Sequence, residues 1–214
     1  MAPAGDHAHL PVRHKGLATI AIMAAMVMQV LDTTITNVAL PHMSASLGAT
    51  QETISWVLTS YILASAVAIP ITGWLADRIG AKRLFVISVG TFTLASILCG
   101  VAQNITEMVL FRTLQGVGGA FLGPLAQTLM LDINKPSDQG KAMSVYGMGV
   151  MVGPIMGPIV GGYLTEWFDW RWCFFVNVPV GIACLAGLMT LLPEKELKRR
   201  DMDLFGFTML ALGL

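Results

Sequence analysis

Residues 17–41 read LATIAIMAAMVMQVLDTTITNVALP. From Leu17 to Leu40 this stretch runs 24 residues with a single charge, Asp32. About 20 apolar residues suffice for a helix to cross a bilayer. Arg13 and Lys15 precede the run, as basic residues precede a signal peptide. A signal-peptide core is only about 7–15 residues long, however, so the stretch is read as a retained first membrane helix behind a tail over 1–16.

Working outward, the same pattern recurs. Apolar runs separated by short polar stretches predict spans near 17–40, 54–75, 84–102, 108–131, 141–164 and 173–193. These make a bundle over 17–193, a loop over 194–203, and the start of a seventh helix over 204–214. That last run holds 11 residues, half a span, so the reading predicts an N-terminal portion of a longer protein. Composition agrees with a polytopic all-α membrane protein. The 214 residues are 55% hydrophobic and 12% charged, with mean hydropathy +0.69. A soluble domain carries about 25% charged residues.

Basic residues set the expected orientation. With the amino terminus inside, the inner segments hold Arg13, Lys15, Arg78, Lys82, Arg83, Lys135, Lys141, Lys195, Lys198, Arg199 and Arg200, eleven of the thirteen Lys and Arg. The outer loops hold Arg171. This positive-inside bias predicts a cytoplasmic amino terminus in a multi-pass protein. Trp167, Trp170 and Trp172 read as an aromatic belt at the outer interface.

Several functions are disfavoured by what is missing. Net charge is zero, without the clustered basic face that nucleic acid requires. No GxxxxGK[ST] stretch occurs, so the chain carries no P-loop for ATP. Cys99, Cys173 and Cys184 lie scattered in or beside apolar runs, which predicts neither disulfides nor a metal site. The fourteen methionines read mainly as packing or lipid-facing residues.

The thirteenth basic residue, Arg112, lies inside the fourth span as Asp32 lies inside the first. Each charge would cost about 2.5–3.5 kcal/mol at a helix centre on insertion scales, so each needs a reason. Asp32 is nine residues from Pro41, about 13 Å below the expected outer end of its helix. Both charges are placed in the outer half, facing one interior cavity. Gln29, Asp32, Thr33, Thr36 and Asn37 follow helical spacing and predict one polar stripe, while Gln115 shares a face with Arg112. A lone intramembrane carboxylate among amides and hydroxyls suits an ion or proton site; a bridge that only ties two helices is the alternative.

On the fifth span Gly149, Gly153, Gly157 and Gly161 recur every four residues, with Pro154, Pro158 and Gly162 beside them. This spacing predicts a smooth face for close helix approach, bent by two prolines. Between spans two and three, Gly73-Trp74-Leu75-Ala76-Asp77-Arg78-Ile79-Gly80-Ala81-Lys82-Arg83 reads as a tight cytoplasmic turn.

Together these segments resemble the major facilitator superfamily, and within it the drug:proton antiporters with fourteen spans, the EmrB-like multidrug efflux group. LDTTITNVALP (31–41) looks like that group's first-helix motif, and GWLADRIGAKRL (73–84) resembles the superfamily loop signature, departing at Ala81. LFRTLQGVGGA (110–120) resembles the fourth-helix motif with its Arg, GVMVGPIMGPIVGG (149–162) the fifth-helix antiporter motif, and WRWCFFVNVPVG (170–181) the entry to helix six.

The resemblance implies an N-terminal six-helix half made of two inverted three-helix repeats, which makes spans one and four counterparts. It implies proton-coupled export of lipophilic drugs by alternating access across a bacterial inner membrane, driven by the proton gradient with no bound cofactor. Asp32 and Arg112 would couple protons, and Gln29, Thr33, Thr36, Asn37 and Gln115 would line the substrate cavity. Gly73, Asp77, Arg78, Gly80 and Arg83 would form a gating loop, and the glycine stripe would pack against a helix of the other half. The group also works with a periplasmic adaptor and an outer-membrane channel where the cell has two membranes. An exporter of one metabolite, and a membrane sensor that kept the fold, are the competing readings.

Overall fold

In the computed structural model, residue 12 and residues 14–192 are described. Most of the predicted tail, the loop over 194–203 and the seventh-helix start over 204–214 lie outside the described residues.

Helix α1 spans Lys15–Leu47. It runs through Pro41, where the sequence predicted its end, and stops at Gly48 in the left-handed region with φ 62°. Pro41 removes only the bond to the Asn37 carbonyl, which lies on the exposed side of the helix. Asp32 therefore sits near the middle of a 33-residue helix rather than close to its outer end.

The second span is α2 (Gln51–Ala68), continued through a 3-10 turn at Ile69–Ile71 into α3 (Thr72–Ile79). Pro70 lies within that turn and lacks the N–H that α-helical bonding needs there. Helix α4 (Ala81–Val101) follows almost at once. The predicted loop is thus mostly helix, and the reversal falls on Gly80, whose φ of 95° disfavours any side chain.

The fourth span is split into α5 (Ile105–Ala120) and α6 (Leu122–Asp132). Pro124 cannot donate to the Ala120 carbonyl, and the break falls there; Phe121 keeps helical dihedrals of −85° and −17°, so the chain continues in roughly the same direction. Asn104 starts α5: its Oδ1 accepts from the Glu107 N–H at 2.9 Å, while Glu107 reaches back to the Gln103 N–H at 2.9 Å. This reciprocal cap fixes the register from which Arg112 projects two turns later. Helix α7 (Gln139–Trp167) runs unbroken through Pro154 and Pro158. A short α8 (Trp172–Phe175) leads into α9 (Asn177–Leu191). Among the described residues, five stretches are long and apolar enough to cross a membrane, and α5 with α6 supplies a sixth crossing in two pieces.

Packing reveals an inverted repeat. Helix α1 packs on α7 and α9, while α5, its counterpart, packs on α2 and α4; α4 and α9 meet each other. Exchanging spans one to three for four to six maps the contacts of α1 onto those of α5 and the α4–α9 contact onto itself. Two apolar clusters occupy the interior. One surrounds Ala18–Met28 of α1 with Phe85, Phe92 and Leu125, and the other surrounds Ile35–Met43 with Val57, Met108 and Phe174. Asp32 lies on α1 between them. Lys15, Lys82 and Lys141 stand at the end of the bundle nearer the first cluster, termed here the basic end.

Candidate functional site

The two intramembrane charges meet. Arg112 Nη1 donates to Asp32 Oδ2 at 2.6 Å, and both side chains are 0% exposed. The other carboxylate oxygen, Oδ1, accepts from Gln115 Nε2 at 2.9 Å and from Asn177 Nδ2 at 2.8 Å. Arg112 Nη1 also donates to Gln115 Oε1 at 2.7 Å, and its Nε donates to the Val57 carbonyl at 3.2 Å. The guanidinium carbon stands 4.4 Å from the centroid of the Tyr61 ring and 5.8 Å from that of Phe174. Such faces stabilise a desolvated cation. Asn177 donates in addition to Ser96 Oγ at 2.9 Å, and Ser96 to the Phe174 carbonyl at 2.9 Å.

One carboxylate thus joins α1 to α5 and α9, with α4 attached through Ser96. A buried pair broken by removing one partner costs about 3–5 kcal/mol, because the remaining charge is left uncompensated. Three donors on the carboxylate and the aromatic faces on the guanidinium offset the desolvation that such a pair suffers.

The expected polar stripe divides in two. Asp32 and Thr36 lie inside, with Thr36 Oγ1 donating to the Asp32 carbonyl at 2.7 Å. Gln29 and Thr33 are half-buried and Asn37 is exposed, with Asn37 Nδ2 donating to the Thr33 carbonyl at 2.8 Å. Each row steps by four residues, but the rows are offset by three, about 60° apart on the helix. The wall of the bundle falls between them. Gln115 joins the inner row and is fully buried.

The glycine stripe of α7 faces α1, not a helix of another half. A Cβ on Gly149 would strike Met23; on Gly153, Val30; on Gly157, Thr34; on Gly161, Val38. Thr34 Oγ1 donates across this seam to the Gly153 carbonyl at 3.2 Å. Gly162 has open space around its Cβ direction, and Pro154 and Pro158 are exposed on the other side. The seam is therefore the contact between span five and span one of one bundle.

At the basic end Gly73, Asp77 and Arg78 lie on α3. The Arg78 guanidinium stacks 5.2 Å from the Trp74 ring centroid, and Asp77 forms no ion pair with any described residue. Arg83 is exposed at the start of α4, and the neighbouring Lys82 Nζ donates to the Met189 carbonyl at 3.3 Å, tying α4 to the end of α9. Among the described residues, no three His, Cys, Asp or Glu side chains come together as a metal site would require.

Asn177, Ser96 and Tyr61 belong to the charged knot and were not singled out in the sequence. Asn177 carried a usable signal, a side-chain amide within an apolar run over 173–193. Ser96 and Tyr61 carried none, since single hydroxyls are common in membrane helices.

An all-helical bundle whose contacts exchange between two three-helix repeats, with a buried ion pair linking their first helices, defines a multi-pass membrane protein of the inverted-repeat class. The sequence model of the Major Facilitator Superfamily matches residues 22–203, and the chain belongs to that superfamily. Multidrug export protein EmrB of Escherichia coli (strain K12) is 42% identical over 202 residues, covering 92% of this chain and 39% of EmrB. Probable multidrug resistance protein EmrY of the same strain is 44% identical over 198 residues, again 92% of this chain and 39% of the relative. Among solved structures, the xylose transporter XylE from E. coli superposes with TM-score 0.76 at 14% identity over 85% of this chain and 50% of XylE. A peptide transporter POT gives 0.75 at 17% identity, over 92% of this chain and 43% of its own. These structures share the fold, and the chain spans about two fifths of the length of the curated relatives it matches.

Proposed function

We propose that the protein containing this chain exports lipophilic drugs in exchange for protons, by alternating access across the bacterial inner membrane, with the basic end in the cytoplasm. The observation that carries this reading is the fully buried Asp32–Arg112 pair between the first helices of the two repeats. The names of the relatives, multidrug export and multidrug resistance proteins, support the substrate class.

Asp32 is the proton carrier in this reading. As a carboxylate it holds Arg112, Gln115 and Asn177, and so fastens α1 to α5 and α9. Protonation removes the negative charge and weakens all three bonds at once. Arg112 keeps its bonds to Gln115 Oε1 and the Val57 carbonyl, so the guanidinium stays seated while α1 is released. One proton crossing 100 mV supplies about 2.3 kcal/mol, equivalent to roughly a fifty-fold drug gradient. The gradient is the energy source, and no cofactor is needed. Gln29, Thr33 and Asn37 offer polar contacts on the accessible side of α1. Asp77, with Arg78, Gly80 and Arg83 about the Gly80 reversal, would gate the cytoplasmic side against the remainder of the protein. A periplasmic adaptor and an outer-membrane channel would complete export in a cell with two membranes.

Drug-driven proton release in proteoliposomes tests this, using the full-length protein and its Asp32→Asn variant. Release is expected to vanish in the variant while its expression and drug binding persist. Equal release from both would show that Asp32 is only a structural tie.

A further inference from the structure

Beneath the ion pair, toward the basic end, lies a second polar group that the proposed mechanism does not use. The Tyr61 hydroxyl is turned toward the Gln29 amide and the Ser65 hydroxyl without direct hydrogen-bond geometry to either. Tyr61 is 5% exposed, and its hydroxyl, Gln29 Oε1 and Arg112 Nη2 are buried polar atoms without a hydrogen-bond partner. Orphaned polar atoms in a protein interior are rare and costly, and a shared water ordinarily satisfies them. Three such atoms gather about one residue, beside a carboxylate.

The site is also built. Tyr61 is seated by two glycines of α5. A Cβ on Gly116 would come 2.5 Å from the Tyr61 carbonyl, and one on Gly119 would come 2.7 Å from the Tyr61 hydroxyl. Ser65 Oγ donates to the Gly116 carbonyl at 2.9 Å and to the Tyr61 carbonyl at 2.8 Å, locking α2 against α5. The ring covers the guanidinium on one side, and the hydroxyl reaches past it to Gln29, three residues from Asp32 toward the basic end. Gln29 is half-buried and opens the row that continues to Thr33 and Asn37. Charged and titratable groups facing Tyr61 are Asp32 from α1 and Arg112 from α5; from α4 the apolar Phe92 packs beside it, with Cys99 further along.

We propose that Tyr61, with Gln29 and Ser65, forms the release side of the proton site: water held between the Tyr61 hydroxyl and the Gln29 amide takes the proton from Asp32 toward the cytoplasm. The inference rests on the reading of Asp32 as carrier. In the step, the Asp32 O–H bond breaks as a water oxygen accepts the proton, and the carboxylate re-forms its ion pair with Arg112. The hydroxyl of Tyr61 accepts one proton and passes on its own, so the side chain ends unchanged. The proton leaves on the Gln29 side as hydronium. Tyr61 also covers the guanidinium, which keeps Arg112 in place to receive the carboxylate.

Proteoliposomes of the full-length protein would be compared with Tyr61→Phe, Gln29→Leu, the double variant and Asp32→Asn. Tyr61→Phe keeps the ring over Arg112 and removes only the hydroxyl. It should leave drug binding and thermal stability unchanged and slow drug-driven proton release at least about tenfold, a modest loss for a positioned proton-transfer group. The pH midpoint of release should stay where it is, because the hydroxyl is not part of the ion pair itself. Gln29→Leu should slow proton release to a similar extent at saturating drug, with drug binding weakened as well because Gln29 also faces the cavity side of α1. The double variant should be no slower than the slower single, because one path has been cut twice. Normal release from Tyr61→Phe beside a dead Asp32→Asn would overturn the relay alone. A displaced pH midpoint with an unchanged maximal rate would also overturn it, since Tyr61 would then act only by tuning the pair. Normal release from Asp32→Asn would overturn the assignment of the carrier, and the relay with it.

Discussion

Helix α1 is held on two sides by opposite means. One side presents Asp32 and Thr36 to α5 and α9, where a single carboxylate takes three donors. The other presents Met23, Val30, Thr34 and Val38 to four glycines of α7. The first contact depends on charge, and under the proposed antiport protonation of Asp32 weakens it. The second depends on the absence of side chains and is indifferent to protonation. Without a hydrophobic force between helices in lipid, close van der Waals packing of this kind is what holds them together. In the proposed exchange of drug for proton, the two contacts would divide the work on one helix, a lasting seam and a switchable tie.

The charged contact fails most completely when Arg112 is lost. Arg112→Ala leaves Asp32 buried with its charge uncompensated and should destabilise the protein by about 3–5 kcal/mol. Thermal unfolding in detergent reads this as a large fall in Tm. Adding Asp32→Asn to that variant should recover much of the loss, since the orphaned charge is then gone. On the seam, Gly157→Leu drives a side chain into Thr34 and should cost about 1–3 kcal/mol, with no recovery from Asp32→Asn. Gly162→Ala, one residue beyond the seam glycine Gly161 and facing open space, should be neutral within about 0.5 kcal/mol. If the Gly157 and Arg112 variants lost equal stability and both recovered with Asp32→Asn, the two contacts would be one coupled unit and the distinction would fail.

How much of this could be read beforehand depended on the kind of interaction. Asp32 and Arg112 stood out because a charge in lipid is costly, and that cost is visible in any single residue. The glycine stripe was equally visible, but four-residue spacing says only that something approaches closely; it does not say what, and the partner is α1 rather than another half. The polar stripe looked continuous because helical spacing alone cannot locate the bundle wall between rows about 60° apart. Pro41 was read as a terminator, although a proline removes one hydrogen bond and α1 survives that loss for six more residues. The six crossings were legible, being set by run length, whereas the Phe121 break and the helical loop about Asp77 were set by local proline and glycine placement. Tyr61, Ser96 and Asn177 owe their roles to three-dimensional neighbours that no spacing within one helix encodes.

Loss of Asn177 should have a smaller effect than loss of Arg112. It donates to both Asp32 Oδ1 at 2.8 Å and Ser96 Oγ at 2.9 Å, so it links α9 to the carboxylate and gives α4 a second link beside that of Cys99 through Gln115. In Asn177→Ala the carboxylate keeps Arg112 and Gln115, so no charge is orphaned and the cost should be about 1–2 kcal/mol, below that of Arg112→Ala. Much of that cost should disappear when the variant is made on Asp32→Asn, because the lost bond to a charged acceptor was the stronger of the two. Ser96→Ala should by contrast cost about the same on either background, its own donor bond going to the Phe174 carbonyl. A double-mutant cycle in thermal stability separates these cases, since contacting residues of one network typically couple by about 0.5–3 kcal/mol. Coupling of Asp32 to Asn177 but not directly to Ser96 would mean that the switchable tie reaches α9 first and Ser96 only through it. Equal coupling to both would mean that the carboxylate holds the two helices together, leaving the glycine seam as a contact of α1 that is independent of that charge.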